Sequence, residues 1–402
     1  MKAFILYSII LVVFYSASFS QGKYYKVQLH CHTNQSDGRW KIRQLLEYYK
    51  SQNYDVVAIT DHYTMTRTDT IQIPGLLTIH SQELTNNQTK DIRWHMNGIG
   101  LQKKIYDMIS PQEMIDSISM QGALTILNHP TYRSYWNSQK IMSLTGFFLL
   151  EVLNYGRYAL ENYTYTKPFA IWDELLTAEK RLYGVGTDDF HLYDTANVYD
   201  SPGYLYMPGK LATMVYAEAL SQEAILTSLR EGNFYFTQGP LIDKYYADGD
   251  TLFVQTPNGS QIDFIGKNGE LLETVFSNNA AYTVKGDEIY VRVEVAESDN
   301  QRAFLQARFL DNLSSNSSLA KILKFKVFPN PAESFINLTL NDSGSEYRIR
   351  IWNEIGKLVY YNEIRNVENL SFQIPIENFG NGIHLVKVNT KYKEYFSKFV
   401  KK

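Results

Sequence analysis

Cysteine is almost absent from this chain of 402 residues, which contains only Cys31. A disulfide within the chain needs two cysteines, so packed cores must supply the stability that small exported proteins often take from disulfides. The scarcity also excludes a metal site rich in thiolates. An excess of one charge is lacking too: the formal net charge is −3, so nothing draws the whole chain to nucleic acid or an anionic membrane. We expect no stable partner of either kind.

Long hydrophobic runs are equally scarce. One run, Ala3 to Phe14, spans about 12 residues, whereas a transmembrane helix needs about 20. It follows Lys2 and precedes the small residues of Ser18-Phe19-Ser20, a pattern typical of a signal peptide. We therefore predict a signal peptide over residues 1–20, cleaved before Gln21, and the alternative is an uncleaved anchor. No cysteine follows the run closely, which argues against a lipid-modified N-terminus.

Residues 22–240 alternate short apolar strands with amphipathic helices. The segments 27–32 and 56–62 have strand character, and apolar residues recur at helical spacing between them. Further along, Ser110 to Glu113 has the form of a capping box before a helix, a strand is expected at 123–127, and a helix at 172–180 precedes a strand at 182–186. Repeated β-α units predict a parallel sheet or barrel with its chemistry at the carboxyl ends of the strands.

The sequence pattern changes after residue 240, where helical spacing gives way to short strand-like segments. Strand-like segments separated by Asn-Gly turns predict a small all-β module over residues 241–310. Residues 311–326 are polar and rich in Ser and Asn, as in a linker, and residues 327–402 are again rich in strands.

Histidines and acidic residues gather at the predicted strand ends. Alternate residues of a strand share a face, so His30 and His32 point together, and so do Asp189 and His191. Asp188 faces the other way, which favours Asp189 as the ligand. Imidazole and carboxylate ligands together suit zinc, manganese or iron. The candidate metal ligands are His30, His32, Asp37, His62, Glu83, His95, His129, Asp189 and His191.

The order of these motifs resembles the PHP (polymerase and histidinol phosphatase) family. His-x-His-Thr with Ser-Asp-Gly comes first, followed by Thr-Asp-His, a glutamate, a histidine, Asn-His-Pro and Asp-x-His, over about residues 24–192. The resemblance implies a distorted TIM-like barrel of seven β-α repeats that holds two or three divalent metals. The segment 79–82 departs from the family, which usually has Pro-Gly just before the glutamate.

Carried over motif by motif, the resemblance implies three overlapping metal sites. The first is formed by His30, His32, Glu83 and Asp189, the second by Glu83, His95 and His129, and the third by Asp37, His62 and His191.

Other candidate residues follow from their positions near these motifs. Glu83, Asp61 and Arg133 are the predicted catalytic residues, with Asp61 orienting His62 or a neighbouring ligand. The arginines expected to bind phosphate oxygens are Arg39, Arg93, Arg133 and Arg157. His80, His384 and Cys31 are interpreted as structural residues.

These patterns together predict an exported phosphoesterase that hydrolyses phosphate esters of a small molecule or an oligomer through a metal-bound hydroxide. Two alternatives remain: a metal-dependent hydrolase of an amide or carboxylic ester, and a secreted binding protein with structural metals, in which the 241–310 module contacts the ligand.

The C-terminal stretch resembles the sorting domain of the type IX (Por) secretion system. The resemblance rests on Val327-Phe328-Pro329-Asn330-Pro331-Ala332, the glycine turn at 380–383 and the lysine-rich end. It implies passage through the periplasm to the cell surface or medium, with the type IX machinery as partner. The alternative is an ordinary β-sandwich module.

Overall fold

The computed structural model describes most of the chain. The described residues are 22–69, 71–86, 94–106, 110–131, 136–156, 166–191, 207–298, 301–310, 325–340, 346–354, 356–365, 370–390 and 394–402. The predicted signal peptide and residues 311–324 of the predicted linker lie outside them. Within these ranges, no helix has the length and apolar character needed to cross a membrane.

Seven strands form the sheet that carries the histidine motifs, and they lie side by side in chain order. They are β1 (Lys23–Gln28), β2 (Val56–Ile59), β3 (Leu77–Thr85), β4 (His95–Ile99), β5 (Leu124–Leu127), β6 (Leu149–Asn154) and β7 (Tyr183–Thr187). The sheet extends beyond β1 through β8 (Ala212–Ala217) and β9 (Phe234–Thr237). An isolated parallel bridge between Cys31 and Phe190 also joins the chain after β1 to the chain after β7.

The sheet is mixed rather than uniformly parallel. Strand β4 runs antiparallel to β3 and β5, whereas β1, β2, β3, β5, β6 and β7 all run in one direction. A parallel crossover takes a dozen residues or more, and only residues 86–94 separate β3 from β4. The mixed α/β class is confirmed, whereas a barrel of seven β-α repeats stays a prediction.

Five helices accompany this sheet in the described ranges: α1 (Ile42–Ser51), α2 (Pro111–Ser119), α3 (Ser138–Ser143), α4 (Thr166–Thr177) and α5 (Gln222–Glu231). Helix α1 buries Leu45, Leu46 and Tyr49, the residues at helical spacing. Helix α2 has the predicted capping box: Ser110 Oγ accepts from the Glu113 N–H, and the Glu113 carboxylate accepts from the Ser110 N–H.

The strands of residues 241–310 divide between two sheets. Strands β10 (Lys244–Asp248), β11 (Thr251–Gln255) and β14 (Asn279–Thr283) form one sheet of their own. The others extend the large sheet, because β16 pairs with β9: β12 (Gln261–Ile265), β13 (Leu271–Val275), β15 (Tyr290–Ser298) and β16 (Gln301–Leu305), with β17 (Arg308–Phe309) paired to β15. The predicted boundary at residue 240 therefore lies within a continuous sheet.

A buried ion pair fastens this module to helix α4. The Arg292 guanidinium donates two hydrogen bonds to the Asp173 carboxylate, at 2.8 Å from Nε to Oδ1 and 2.8 Å from Nη2 to Oδ2. Tyr290 donates a third from its hydroxyl to Asp173 Oδ1 at 2.7 Å, and Glu294 accepts from Arg292 Nη1 at 2.6 Å. We call these four residues the Asp173–Arg292 cluster.

The C-terminal part folds as two antiparallel sheets around their own core. One sheet contains β18 (Lys326–Phe328), β19 (Phe335–Leu340) and β22 (Leu370–Pro375); the other contains β20 (Glu346–Asn353), β21 (Leu358–Arg365), β23 (Gly382–Asn389) and β24 (Glu394–Lys401). Alternate residues of β19 and β20, including Ile336 and Ile349, are buried in one cluster. This packing is that of a β-sandwich.

Candidate metal centre

The first two histidines follow the end of β1. Gln28 anchors this segment, since its side-chain Oε1 accepts from the backbone N–H groups of Leu29, His30 and Asp188. The segment is also clamped by Gly38, where a Cβ would lie 2.6 Å from the carbonyl carbon of His32. Glycine is therefore required at the third position of Ser-Asp-Gly, because any side chain would displace the His32 backbone.

Glu83 lies at the centre of the cluster. His95 is paired with Thr85 across β3 and β4, and Thr85 shares a face of β3 with Glu83, so the register brings His95 beside Glu83. His95 Nδ1 lies 2.9 Å from Glu83 Oε1, and His62 Nδ1 lies 3.2 Å from Glu83 Oε2. Asn128 donates to Glu83 Oε1 at 2.8 Å and holds the carboxylate in place.

All nine predicted ligands come together. They form four overlapping groups, and within each group the ligand atoms lie within 4.8 Å of one another. The groups are His32, Asp37, His62 and His191; His30, Glu83 and His129; His30, His32 and Asp189; and His62, Glu83 and His95. These groups overlap the three predicted sites without matching them. Glu83 lies in one group with His30 and His129 and in another with His62 and His95, so the predicted set of Glu83, His95 and His129 is divided between two groups.

The distances between ligand atoms suit a metal ion. His30 Nε2 lies 3.4 Å from Glu83 Oε2 and 3.2 Å from Asp189 Oδ1, and His32 Nε2 lies 3.2 Å from each of the same two oxygens. Ligands about 2.1 Å from a tetrahedral zinc ion stand about 3.4 Å apart. His30, His32 and Asp189 are thus spaced as ligands of one ion, and Glu83 lies beside both imidazoles.

Two buried ring nitrogens support this interpretation. His30 Nε2 and His32 Nε2 have no hydrogen-bond partner among the described residues, although both histidines are fully buried. A buried polar atom without a partner costs about 1–3 kcal/mol. A divalent ion between these nitrogens and the carboxylates would remove that cost, so the residues fit the predicted metals.

Two of the ligands have unusual backbone conformations. Asp189 has φ of 48° and His129 has φ of 24°, a region that residues with side chains rarely occupy. The turn at Asp189 directs its carboxylate toward His30 and His32. Asp188 points the other way and accepts from the Tyr49 hydroxyl at 3.0 Å and from the Leu211 N–H at 3.0 Å.

Asp61 does not contact His62. Its carboxylate accepts from the Thr33 N–H at 2.7 Å, from the Thr33 hydroxyl at 2.6 Å and from the Ser36 hydroxyl at 2.7 Å. His62 Nδ1 instead lies 2.9 Å from Thr85 Oγ1. Of the two predicted roles for Asp61, orienting His62 or a neighbouring ligand, these contacts favour the second, because they hold the loop between His32 and Asp37.

Glu151, on β6, is a site residue that the sequence reasoning missed. Its Oε1 lies 2.8 Å from His30 Nδ1, and its Oε2 accepts from the His129 N–H at 2.7 Å and from Asn154 Nδ2 at 2.9 Å. It thereby directs His30 Nε2 toward Glu83 and Asp189. The available signal was a single acid within the apolar strand Leu-Leu-Glu-Val-Leu-Asn.

The electrostatics of the cluster favour a cation. Burial alone would raise the pKa of Glu83, but the imidazoles of His62, His30 and His95 outweigh it and hold that pKa well below its usual value. Burial lowers the pKa of His32, but the neighbouring carboxylates of Asp189 and Glu83 outweigh it and raise this pKa to about 9. The field that holds a proton on His32 also attracts a divalent ion.

The ligands differ in their access to solvent. The Asp37 side chain is 46% exposed, whereas those of His30, His32 and Glu83 are at most 1% exposed. The cluster is therefore reached from the side of Asp37. Arg39 lies at this entrance with an exposed side chain, and its N–H donates to the His191 carbonyl at 3.1 Å. Arg93, Arg133 and Arg157 lie outside the described residues.

The residues interpreted as structural lie away from the cluster's ligand atoms. His80 Nε2 contacts Asp69 Oδ1 at 2.6 Å, and Cys31 is buried with Sγ 3.5 Å from the Ala58 carbonyl. His384 stacks between Phe379 and Phe399 in the C-terminal sandwich.

Residues 326–402 match the family described as the secretion system C-terminal sorting domain. The expected sorting domain is therefore confirmed. It directs type IX secretion, and the protein is secreted or held at the cell surface.

Other proteins resemble further parts of the chain. It is 32% identical over 120 residues to the uncharacterized protein MJ1587 of Methanocaldococcus jannaschii, covering 26% of this chain and 67% of that protein. A two-domain Bacteroides vulgatus protein containing a predicted PHP-like metal-dependent phosphoesterase is 14% identical, with a TM-score of 0.41 and coverage of 89% and 96%. An amidohydrolase of Chromobacterium violaceum is 12% identical, with a TM-score of 0.33 and coverage of 45% and 93%.

Proposed function

We propose that this chain, which belongs to the same family as MJ1587 and ends in a type IX sorting domain, is a metal-dependent phosphoesterase of the PHP type. One observation carries the proposal: nine histidine and acidic side chains, Glu83 among them, form four overlapping ligand groups, and two of their buried histidine nitrogens have no hydrogen-bond partner among the described residues.

Three groups of residues would hold the ions. His30, His32, Glu83 and Asp189 would hold one, with Glu83 shared with a second ion at His95 and His129, and Asp37, His62 and His191 would hold a third. Bound divalent ions lower the pKa of water toward neutrality and offset the charge that develops on phosphate oxygens.

The remaining residues act by holding these ligands. Asn128 fixes the Glu83 carboxylate by donating to Oε1, and Glu151 fixes the ring of His30 through Nδ1. Asp61 holds the loop that carries Asp37 by accepting from Thr33 and Ser36. Arg39, exposed at the entrance, would bind the non-reacting oxygens of the phosphate.

The proposal is tested with the chain that remains after the predicted cleavage, residues 21–402. Metal content is measured by inductively coupled plasma mass spectrometry, and phosphate release is followed on phosphomonoesters and phosphodiesters with zinc, manganese or iron. We expect two or three ions per chain and turnover that stops on chelation and returns with metal.

The Glu83→Gln variant removes the shared negative charge at nearly constant size. Loss of a residue that merely orients a metal ligand lowers activity by up to about 100-fold. Because Glu83 is itself a proposed ligand, we expect the activity of this variant to fall further than that. Glu47→Gln, the same change on the exposed face of α1, is the control and keeps full activity. Full activity of Glu83→Gln would contradict the assignment. If the chain binds metal but hydrolyses only amides or carboxylic esters, the proposal of a phosphoesterase is wrong.

A further inference from the structure

A second pocket lies at the opposite end of β1 from the metal centre. It has a volume of about 320 Å³ and is lined by residues of β1, β8, β9, β10 and β17. Tyr24, in its wall, precedes His30 by six residues, which corresponds to about 20 Å along an extended chain. The pocket is therefore separate from the proposed catalytic residues. Its volume lies within the range of small-molecule sites.

Five of the thirteen residues that line the pocket are tyrosines. The Tyr24 ring meets those of Tyr216 and Tyr235 edge to face, with centroids 5.4 and 5.2 Å apart. Tyr216 and Tyr246 are 41% and 48% exposed, so their rings are open to a ligand. Such walls offer apolar faces and hydroxyl tips together, which suits a sugar ring with C–H groups on its faces and hydroxyls at its edge.

A guanidinium lies in the same pocket. Arg308 contributes to the lining from β17, and its CZ atom lies 5.2 Å from the centroid of the Tyr245 ring. Its Nε is buried without a hydrogen-bond partner in the described part of the chain. Lys244 and Asp243, both exposed, also line the pocket. A buried donor without a partner favours a ligand that brings an acceptor.

We infer that this pocket binds an acidic sugar, a hexuronate unit whose ring packs on Tyr216 and Tyr246 and whose carboxylate pairs with Arg308. The planar guanidinium fork matches the two oxygens of a carboxylate. The site gives an exported protein a means of holding an acidic polysaccharide at a distance from its metal centre. It does not depend on the reaction proposed for that centre.

The test is isothermal titration of the secreted chain with methyl β-D-glucuronide and methyl β-D-glucoside, which differ only in the carboxylate. All titrations contain a chelator, so the metal centre plays no part in the result. We expect the glucuronide to bind at least about tenfold more tightly, as a charge-assisted hydrogen bond would provide. Arg308→Gln should abolish this preference, and Tyr216→Ala should weaken the binding of both sugars.

Arg43→Gln, on the exposed face of α1, is the matched control and should bind as the unaltered chain does. Thermal melting checks that each variant is folded; if Arg308→Gln does not fold, Arg308→Lys keeps the charge without the fork and should lose most of the preference. Equal binding of the two glycosides, no binding of either, or a preference unchanged in a folded Arg308 variant would overturn the inference. Tighter binding of glucose 6-phosphate than of the glucuronide would overturn the carboxylate assignment.

Discussion

The metal centre and the Asp173–Arg292 cluster are both buried assemblies of charged side chains, yet they satisfy those charges differently. Around Asp173, both carboxylate oxygens receive donors from Arg292, and Tyr290 and Glu294 complete the set. Around Glu83, histidines surround the carboxylates, and the Nε2 atoms of His30 and His32 lack hydrogen-bond partners among the described residues.

This difference in how the charges are satisfied distinguishes a cluster with a structural role from one that binds a ligand. A buried ion pair that is satisfied by its own residues leaves no room for a ligand, and its role is to hold two elements together. A buried group of imidazole nitrogens and carboxylate oxygens that leaves some of its polar atoms without hydrogen-bond partners is complete only when something else is bound. Three predictions test this contrast.

The largest effect is expected from Asp173→Ala. Removing one partner leaves the Arg292 charge buried, which costs about 3–5 kcal/mol of the free energy of unfolding. Stability is measured by denaturant unfolding and metal content by mass spectrometry, and we expect only the first to change. Glu174→Ala, at the next and exposed position of α4, is the control and should change stability little. A large loss of metal with unchanged stability would reverse the roles given to the two clusters.

A smaller effect is expected from Glu151→Gln. This change weakens the hold on His30 without removing a ligand, so metal affinity should fall by about 10–100-fold. Titration with zinc or manganese measures it, and kcat at saturating metal should recover most of its value. Unchanged affinity would mean that Glu151 does not orient His30.

The smallest effect is expected from the double variant Asp173→Leu with Arg292→Met. Replacing both members of a buried ion pair by apolar residues is often neutral or stabilising. We expect the free energy of unfolding to lie close to that of the unaltered chain and well above that of Asp173→Ala. If the double variant is as unstable as Asp173→Ala, the ion pair itself stabilises the module. The loss in Asp173→Ala would then not come from leaving Arg292 buried without a partner.

Local patterns predicted much of the fold. Helix α1 follows from the spacing of Leu45, Leu46 and Tyr49, and the start of α2 follows from its capping box. The antiparallel direction of β4 and the pairing of β9 with β16 are long-range features that no local periodicity encodes.

The candidate site was predicted best where a motif contains its own geometry, as in His-x-His and Asp-x-His. Glu151 was missed because it is a single acid in an apolar strand, and only the folded chain brings it beside His30. The sequence left two roles open for Asp61, and only the folded chain shows that its carboxylate accepts from Thr33, since neighbouring residues of an extended chain point apart and adjacency to His62 decides nothing.

The exposure of Asp37 has a consequence for the kinetics of metal exchange. This carboxylate is 46% exposed, whereas Glu83, shared by the inner groups, is 1% exposed. An ion held by Asp37, His62 and His191 would therefore leave first and return last, and the inner ions would exchange slowly behind it. Removal by a chelator should accordingly proceed in a fast phase and a slow phase, and the concentration of free metal outside the cell would set how many ions the protein carries.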